Sequence, residues 1–444
     1  MVTEEPKIGV GVLTDRRQVR GRFNGPFRLE NGQSVDGAFS AHAEGGRVTV
    51  ADSRGRAFAG PGMLRFVHGE ASTFTLADVR IGIRFHWERE QEQTFQGDLA
   101  LMAREGGNMT AVNEIALEDY LESVIASEMS ATAPLELLRA HAVMSRSWIA
   151  SMLGRKGKPA PSAGSAQPVS RRPGERIAWY GREEHDGFDV CADDHCQRYQ
   201  GIGVIASGNV REAVRSTRGI FLVYGGDICD ARYHKACGGL TENFENVWEE
   251  IPVPYLSSVS DAALPFPPVR TEEEARQWIC RSPESHCNTS DTGLLQQILP
   301  AFDRETADFF RWRVVYTRDA LEAILREKTG LDFGILHHLT PLERGPSGRI
   351  VRLKIEGSKE SLVVGKELEI RRCLSRSHLY SSAFVVSREC DPSGLPVRFV
   401  LEGAGWGHGV GLCQIGAAVM AVRGAAAEDI LKHYFRGAAL RRCY

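Results

Sequence analysis

Glu128 ends a series in which Leu117, Leu121, Val124 and Glu128 recur at spacings of four, three and four, so a single carboxylate continues the apolar stripe of a short helix. A carboxyl group in that position is drawn out of water, and the carbonyl end of the helix beside it disfavours negative charge further. Both effects predict a pKa raised toward neutral pH, which is what a general acid that later serves as a base requires. The competing reading is an ordinary surface glutamate at a frayed helix end.

A second chemistry-bearing stretch runs from Gly403 to Gly416, with glycine at 403, 405, 407, 409, 411 and 416 and with Trp406, His408 and Gln414 between them. Glycine gives a strand or helix no side-chain burial, so such a run marks backbone that must approach something closely. A stacking plane and two hydrogen-bonding heads suit a sugar or peptide ligand. A tight crossing between domains would use glycine in the same way. Elsewhere, His185, Cys191, His195 and Cys196 lie within a dozen residues. Imidazole and thiolate at that spacing suit zinc through His185, Cys191 and Cys196, with His195 or a water as the fourth ligand. A loop disulfide between Cys191 and Cys196 fits the same spacing. Of the other cysteines, Cys280 with Cys287 and Cys373 with Cys390 are close enough in sequence to bridge, whereas Cys237 and Cys413 sit beside glycines and line a site.

The elements that must position these groups change character along the chain. Up to about residue 112, short β-like runs (Ile8–Leu13, Arg47–Val50, Val79–Phe85) alternate with glycine and polar turns, a β-rich N-terminal region. The helical period begins at Leu117. A second helix opens at Pro134, a favoured first-turn residue, and buries Leu138, Ala142, Ser145, Ile149 and Met152, with Arg139, Val143 and Arg146 on an adjoining face. Residues 155–178, rich in proline, serine and basic side chains, read as a flexible insertion. Gly219–Tyr224 and Ala231–Lys235 read as a hairpin, Gln197–Gly201 as a strand, Thr271–Ile279, Arg318–Glu327 and Ala427–Tyr434 as helices, and Ile350–Ile355 and Ser361–Val364 as strands.

With 444 residues, 42% of them hydrophobic, and a formal charge of −3, the chain is globular and too long for a single ordinary core. Basic residues are spread along the sequence, so nothing indicates a nucleic-acid partner. No apolar run reaches bilayer length, so no transmembrane segment is expected. The first residues lack a basic segment followed by an apolar one, so no secretory signal is visible.

Three separated segments resemble the SpoIID/LytB family of stage II sporulation protein D and amidase-enhancer proteins: LEDYLESVIASEM from Leu117 to Met129 with the helix to Ile149, YHKACGGLTENFENVW from Tyr233 to Trp248 with VPYL from Val253 to Leu256, and GWGHGVGLCQIG from Gly405 to Gly416. Phe310–Trp312 and Glu343–Arg349 extend the likeness over most of residues 95–440. The resemblance implies a peptidoglycan lytic transglycosylase that leaves 1,6-anhydro-N-acetylmuramic acid ends. In such a reaction the sugar's own C6 hydroxyl attacks, so one carboxyl group acts first as acid and then as base. The family's catalytic glutamate falls on Glu128, and a family arginine on Arg146, which can hold an acetamido oxygen or developing charge; a helix salt bridge is its alternative. His234, Lys235, Cys237, Gly238, Thr241 and Glu242, with Trp406, His408 and Gln414, become substrate-binding residues, and Trp248 and Tyr255 either sugar platforms or core aromatics. Some family members carry zinc in a matching Cys/His segment, here more structural than catalytic. The amidase-enhancer branch implies a cell-wall amidase as partner, and the family as a whole implies the cell envelope, with the export signal trimmed or alternative.

This chain departs from the family pattern at Cys413 and Cys237, where serine is usual, at Ile415, where an aromatic is common, and at Glu249 and Glu250, which replace small residues. The expected architecture is α+β, with a β-rich domain over residues 1–95 and a core over 96–444 that carries the flexible insertion and a second insertion near 265–345. Three functions compete: a lytic transglycosylase, a non-catalytic glycan binder that stimulates an amidase, and a zinc-dependent hydrolase with an open metal position.

Overall fold

The computed structural model describes residues 2–82, 88–154, 172–180, 185–193, 195–205, 207–300 and 308–444. Residues 155–171 of the expected insertion, and residues 83–85 of one expected strand, lie outside the described residues. The fold is α+β and divides into two units: residues 1–146, 182–220 and 442–444 form the first, and residues 147–181 and 221–441 the second.

In the first unit ten strands precede the first long helix: β1 (Lys7–Arg16), β2 (Gln18–Leu29), β3 (Ser34–Glu44), β4 (Arg47–Asp52), β5 (Ala57–Pro61), β6 (Met63–His68), β7 (Thr73–Ile81), β8 (Arg89–Gln96), β9 (Asp98–Ala103) and β10 (Met109–Ala116). Together with the short strand Val190–Cys191 they form one sheet, ordered Val190–Cys191, β1, β10, β9, β6, β2, β3, β4, β5, with β7 pairing β2 and β8. Alternation makes this possible, since in β5 Phe58 and Gly60 point inward between exposed neighbours. The sheet runs past the expected boundary at residue 95, because β9 pairs β6 and β10 pairs β1. Residues 96–116 therefore belong to the β-rich body.

Helix α1 (Leu117–Glu128) follows β10 without a loop, and Leu117, Leu121, Val124 and Glu128 are all buried, as their spacing requires. Helix α2 (Leu135–Leu153) starts just after Pro134, and the division between units falls within it. Arg146 on α2 is fully buried; its Nε and Nη2 donate to the two carboxylate oxygens of Glu118 on α1 at 2.9 and 2.6 Å, and Nη1 donates to the Ile220 carbonyl. The Tyr444 hydroxyl and the Gly219 amide also donate to Glu118. This bidentate pair fixes the angle between the two helices.

The second unit holds a four-stranded sheet (Glu175–Ile177, Ser361–Gly365, Ile350–Gly357, Leu336–Arg344) and a three-stranded one (Arg311–Thr317, Pro396–Ala404, Phe384–Cys390). Trp312, Leu325, Leu353, Phe384, Phe399 and Leu401 are among the buried residues of its main core. Residues 311–344 supply strands to both sheets, so the expected second insertion is integral to this core. The helix Arg318–Thr329 is capped by Thr317 and stopped by Gly330, and Glu272–Cys280 begins with a Thr271–Glu274 capping box. The expected hairpin pairs otherwise. Ile220–Tyr224 pairs with Asp227–Ile228, two residues on, while Tyr233–His234 runs parallel to Leu412–Cys413, because the glycine run docks there. Gln197–Gly201 forms no ladder.

Removing one partner of a buried ion pair leaves the other charge uncompensated. Glu118→Ala is therefore expected to destabilise the first unit by about 3–5 kcal/mol, read as an earlier unfolding transition in denaturant, whereas a change under about 1 kcal/mol would mean that the pair behaves as an exposed one.

Candidate functional site

Glu128, the last residue of α1, is 8% exposed, and its Oε1 accepts a 2.9 Å hydrogen bond from the backbone amide of Arg198. The segment that supplies this amide is bound tightly to α1. The Gln200 amide donates to Ser123 Oγ, the Tyr120 hydroxyl donates to Gln197 Oε1, and the Tyr199 hydroxyl donates to Asn113 Oδ1 on β10. Tyr199 stacks between Phe95 and Tyr120, with centroids 5.7 and 5.2 Å away, continuing an aromatic series through Phe74 into the sheet. Burial first, and then the neighbouring Cys196 and Cys191 thiols, push the Tyr120 hydroxyl well above its ordinary pKa, so it remains a donor.

Immediately upstream, the ligating atoms of His185, Cys191, His195 and Cys196 all lie within 4.8 Å of one another. His185 Nε2 is 3.2 Å from Cys196 Sγ, and His195 Nδ1 is 3.5 Å from Cys196 Sγ and 3.9 Å from Cys191 Sγ. A tetrahedral centre with metal–sulfur bonds of about 2.3 Å and metal–nitrogen bonds of about 2.1 Å sets its ligands about 3.6 Å apart, so these four donors can hold a metal ion. The Cys191 thiol is pulled far below its ordinary pKa, first by Cys196 and then, against burial, by His185 and His195. Cys191 is placed by the parallel pairing of Val190–Cys191 with β1, and His185 by stacking on Phe188 at 4.7 Å. His195 offers the fourth donor.

In the second unit the glycine run does approach something closely, and that partner is the protein itself. Ala236 and Trp406 exchange two backbone hydrogen bonds, the Glu242 amide donates to Gly409 O, and the Leu412 amide donates to Arg232 O. Gly405, Gly407, Gly409 and Gly411 all have positive φ. At Gly409 a Cβ would lie 2.4 Å from Arg349 Cζ, and at Gly411 it would lie 2.1 Å from the Arg232 carbonyl. No side chain fits at either place.

The expected substrate-binding residues therefore gather in one unit, but at different depths. Glu242 is fully buried, accepting from Asn243 N, Asn246 Nδ2 and Ser347 Oγ, and Thr241 is buried against Val259. Cys237, Gly238 and Gln414 are also buried, whereas Lys235, Trp406 and His408 are half-buried. Trp406 packs on Tyr380 and Phe309, with centroids 4.5 and 5.1 Å away. Half-buried Trp248 stands 4.9 Å from the His408 ring with the Arg232 guanidinium 4.1 Å over its own, and the Tyr255 hydroxyl accepts from the Asp230 amide. His408 Nδ1 accepts from the Val410 amide, while His234 Nδ1 donates to the Val410 carbonyl. Burial first, then the nearby Arg349, lowers the His234 pKa to about 3; burial, then His234 and Arg232, holds His408 well below its ordinary value. Both imidazoles are neutral at neutral pH. His234 Nε2 is buried and without a partner among the described residues.

Several contributors had no sequence signal that could reveal them. Glu118 is one more acidic residue in a first turn, and nothing in Gln197–Gln200 marks it as the clamp on α1. Neither expected bridge forms: all ten cysteines are free, Cys280 and Cys390 being exposed while Cys287 and Cys373 are buried.

Two family models match the chain. The family model for stage II sporulation protein matches residues 105–224, and one for a domain of unknown function, DUF8618, matches residues 242–411. The chain is similar to stage II sporulation protein D of Bacillus subtilis (strain 168), 26% identical over 329 residues that make up 74% of this chain and 75% of that protein. It is similar to stage II sporulation protein D of Bacillus amyloliquefaciens at 23% identity, over 74% of each chain. It is also 24% identical over 247 residues to the amidase enhancer of Bacillus subtilis (strain 168), covering 53% of this chain and 33% of that protein.

Two outcomes follow from the geometry of the second unit. Gly409→Ala is expected to destabilise by clearly more than the roughly 1–2 kcal/mol that positive φ alone costs, whereas Gly424→Ala, at φ 93° with open space around it, carries the backbone cost only; equal shifts in thermal midpoint would show that Arg349 moves aside freely. For His234, the unfolded imidazole titrates at 6.5 and the folded one at about 3, so the stability gained by keeping it neutral is whole above pH 6.5 and declines as pH falls toward 3. The stability advantage of wild type over His234→Gln is expected to shrink by up to about 1.4 kcal/mol per pH unit across that window; a pH-independent difference in denaturant titrations would contradict the assignment.

Proposed function

The chain belongs to the SpoIID/LytB family, and from that premise we propose that it is a peptidoglycan lytic transglycosylase, cleaving the glycan between N-acetylmuramic acid and N-acetylglucosamine with Glu128 as acid and then base. The observation that carries this reading is the burial of Glu128 at the end of α1 with one carboxylate oxygen held by the Arg198 amide. A proton passes from the carboxyl group to the bridging oxygen as the bond breaks. The carboxylate then removes the proton of the C6 hydroxyl as the anhydro ring closes. Arg146 acts here as a positioning residue, since Glu118 occupies its guanidinium. Within the second unit, Trp248, Trp406, His408 and Lys235 offer aromatic planes and polar heads of the kind that bind sugars.

Zinc is the ion best suited to two imidazoles and two thiolates, and His185, Cys191, His195 and Cys196 would hold it with four protein donors, leaving it a structural rather than hydrolytic role. Its contribution would be to hold His185, Cys191, His195 and Cys196 together, and through Cys196 the Gln197–Gln200 clamp on α1. Peptidoglycan as substrate places the protein at the cell envelope. No helix among the described residues is long and apolar enough to cross a membrane.

The likeness to the amidase enhancer favours a second reading, in which the chain binds cell-wall glycan and stimulates an amidase, with Glu128 supplying a hydrogen bond only. Mass spectrometry of sacculi digested by the full chain separates the two. Lytic transglycosylation is expected to yield anhydro ends, reduced by about 10²–10⁴-fold in Glu128→Gln; an absence of anhydro ends together with faster amidase release would overturn it in favour of the second. Chelation is expected to lower the same activity without changing the product.

A further inference from the structure

A second convergence of soft donors lies inside the second unit and has no counterpart in the reading above. Cys237, Asp261, Cys287 and Cys413 come from four separate segments, are all buried, and bring their ligating atoms within 4.8 Å of one another. Cys237 Sγ and Cys287 Sγ are 3.5 Å apart. With metal–sulfur bonds of about 2.3 Å, two ligands of a tetrahedral centre stand about 3.8 Å apart, so the space between these atoms is that of one ion.

The surroundings are built for thiolates. The Gly239 amide points at Cys237 Sγ from 3.3 Å, and the Cys237 and Gly416 amides point at Cys413 Sγ from 3.3 and 3.4 Å. Cys413 is also the N-cap of the helix Gln414–Val422, where the helix dipole favours a negative sulfur. Asp261 is oriented by the Tyr434 hydroxyl on Oδ1 at 2.6 Å and by the Cys287 amide on Oδ2 at 2.9 Å. Such outer contacts are what fix the ligands of a metal centre. Gly416 keeps this arrangement open, because a Cβ there would lie 2.4 Å from both Asp261 Oδ1 and the Tyr434 hydroxyl.

Charge gives the arrangement a direction. Four acidic groups share a dry site, and the nearby guanidiniums are engaged elsewhere, Arg311 with the carbonyls of Gly238, Phe310, Trp278 and Arg281 and Arg349 with those of Cys237 and Gly407. A dication would displace the remaining protons and balance the anionic donors.

We propose that Cys237, Cys287, Cys413 and Asp261 form a buried structural metal site for a zinc-class dication. Three thiolates and one carboxylate exclude magnesium and calcium, which take oxygen shells. The ion would tie the Cys237 turn and the end of the glycine run to the loops carrying Asp261 and Cys287. A disulfide between Cys237 and Cys287 is the rival, but it leaves unexplained why Cys413 and Asp261 converge on the same point. This site is independent of Glu128 and of the proposed reaction.

The test uses the full chain carrying Cys191→Ser and Cys196→Ser, which removes the first cluster. Purified from zinc-supplemented medium, it is expected to retain one equivalent of zinc by native mass spectrometry, to take up Co²⁺ with a thiolate charge-transfer absorption, and to lose both when Cys413→Ser or Asp261→Asn is added. A double variant that holds no metal overturns the proposal. Should any variant fail to fold, wild type alone decides the matter: unreduced, with chelator and denaturant, all ten thiols are expected to react, whereas a mass lighter by two hydrogens with Cys237 linked to Cys287 overturns the site.

Discussion

The stacking of Tyr199 between Phe95 and Tyr120 is the contact on which the first unit's site depends. It threads an irregular segment through the core beside α1 and so delivers the Arg198 amide to the Glu128 carboxylate. An acidic group at the end of an apolar stripe cannot simply be buried, because desolvation without a donor costs several kcal/mol. The clamp supplies that donor from backbone, which cannot swing away as a side chain can. The His185–Cys196 cluster of donors directly precedes the clamp in sequence.

The second unit rests on a different constraint, the close approach of two backbones. Alternate glycines at positive φ let the run from Gly405 to Gly411 lie against residues 232–242 and around the Arg349 side chain. What remains accessible is the polar and aromatic minority of that run, Trp406 and His408, with Trp248 beside them. Glycine in this stretch thus serves internal packing, and any ligand meets side chains that the glycines position.

Cysteine usage joins the two units in kind. Among the described residues each contains one cluster of four donors, one with two histidines and near the surface, the other rich in thiols and dry. At Cys237 and Cys413 three backbone amides and a helix N-terminus are aimed at sulfur.

Local order determined much of this protein. The period of α1, the start of α2 at Pro134, the helix at Thr271–Ile279 and the closing helix at Ala427–Tyr434 were all legible, because each depends on spacing within a few residues. So were Glu128 on the buried stripe and the grouping of His185, Cys191, His195 and Cys196, whose members are sequence neighbours. Only the tertiary structure decided that the β-rich body extends to Ala116, that Tyr233–His234 pairs with Leu412–Cys413 rather than with Ile220–Tyr224, and that Arg146 is consumed by Glu118. The same holds for Cys237, Asp261, Cys287 and Cys413. Their convergence arises from chain segments up to 176 residues apart, and packing of that range leaves no period or spacing in the sequence from which to read it.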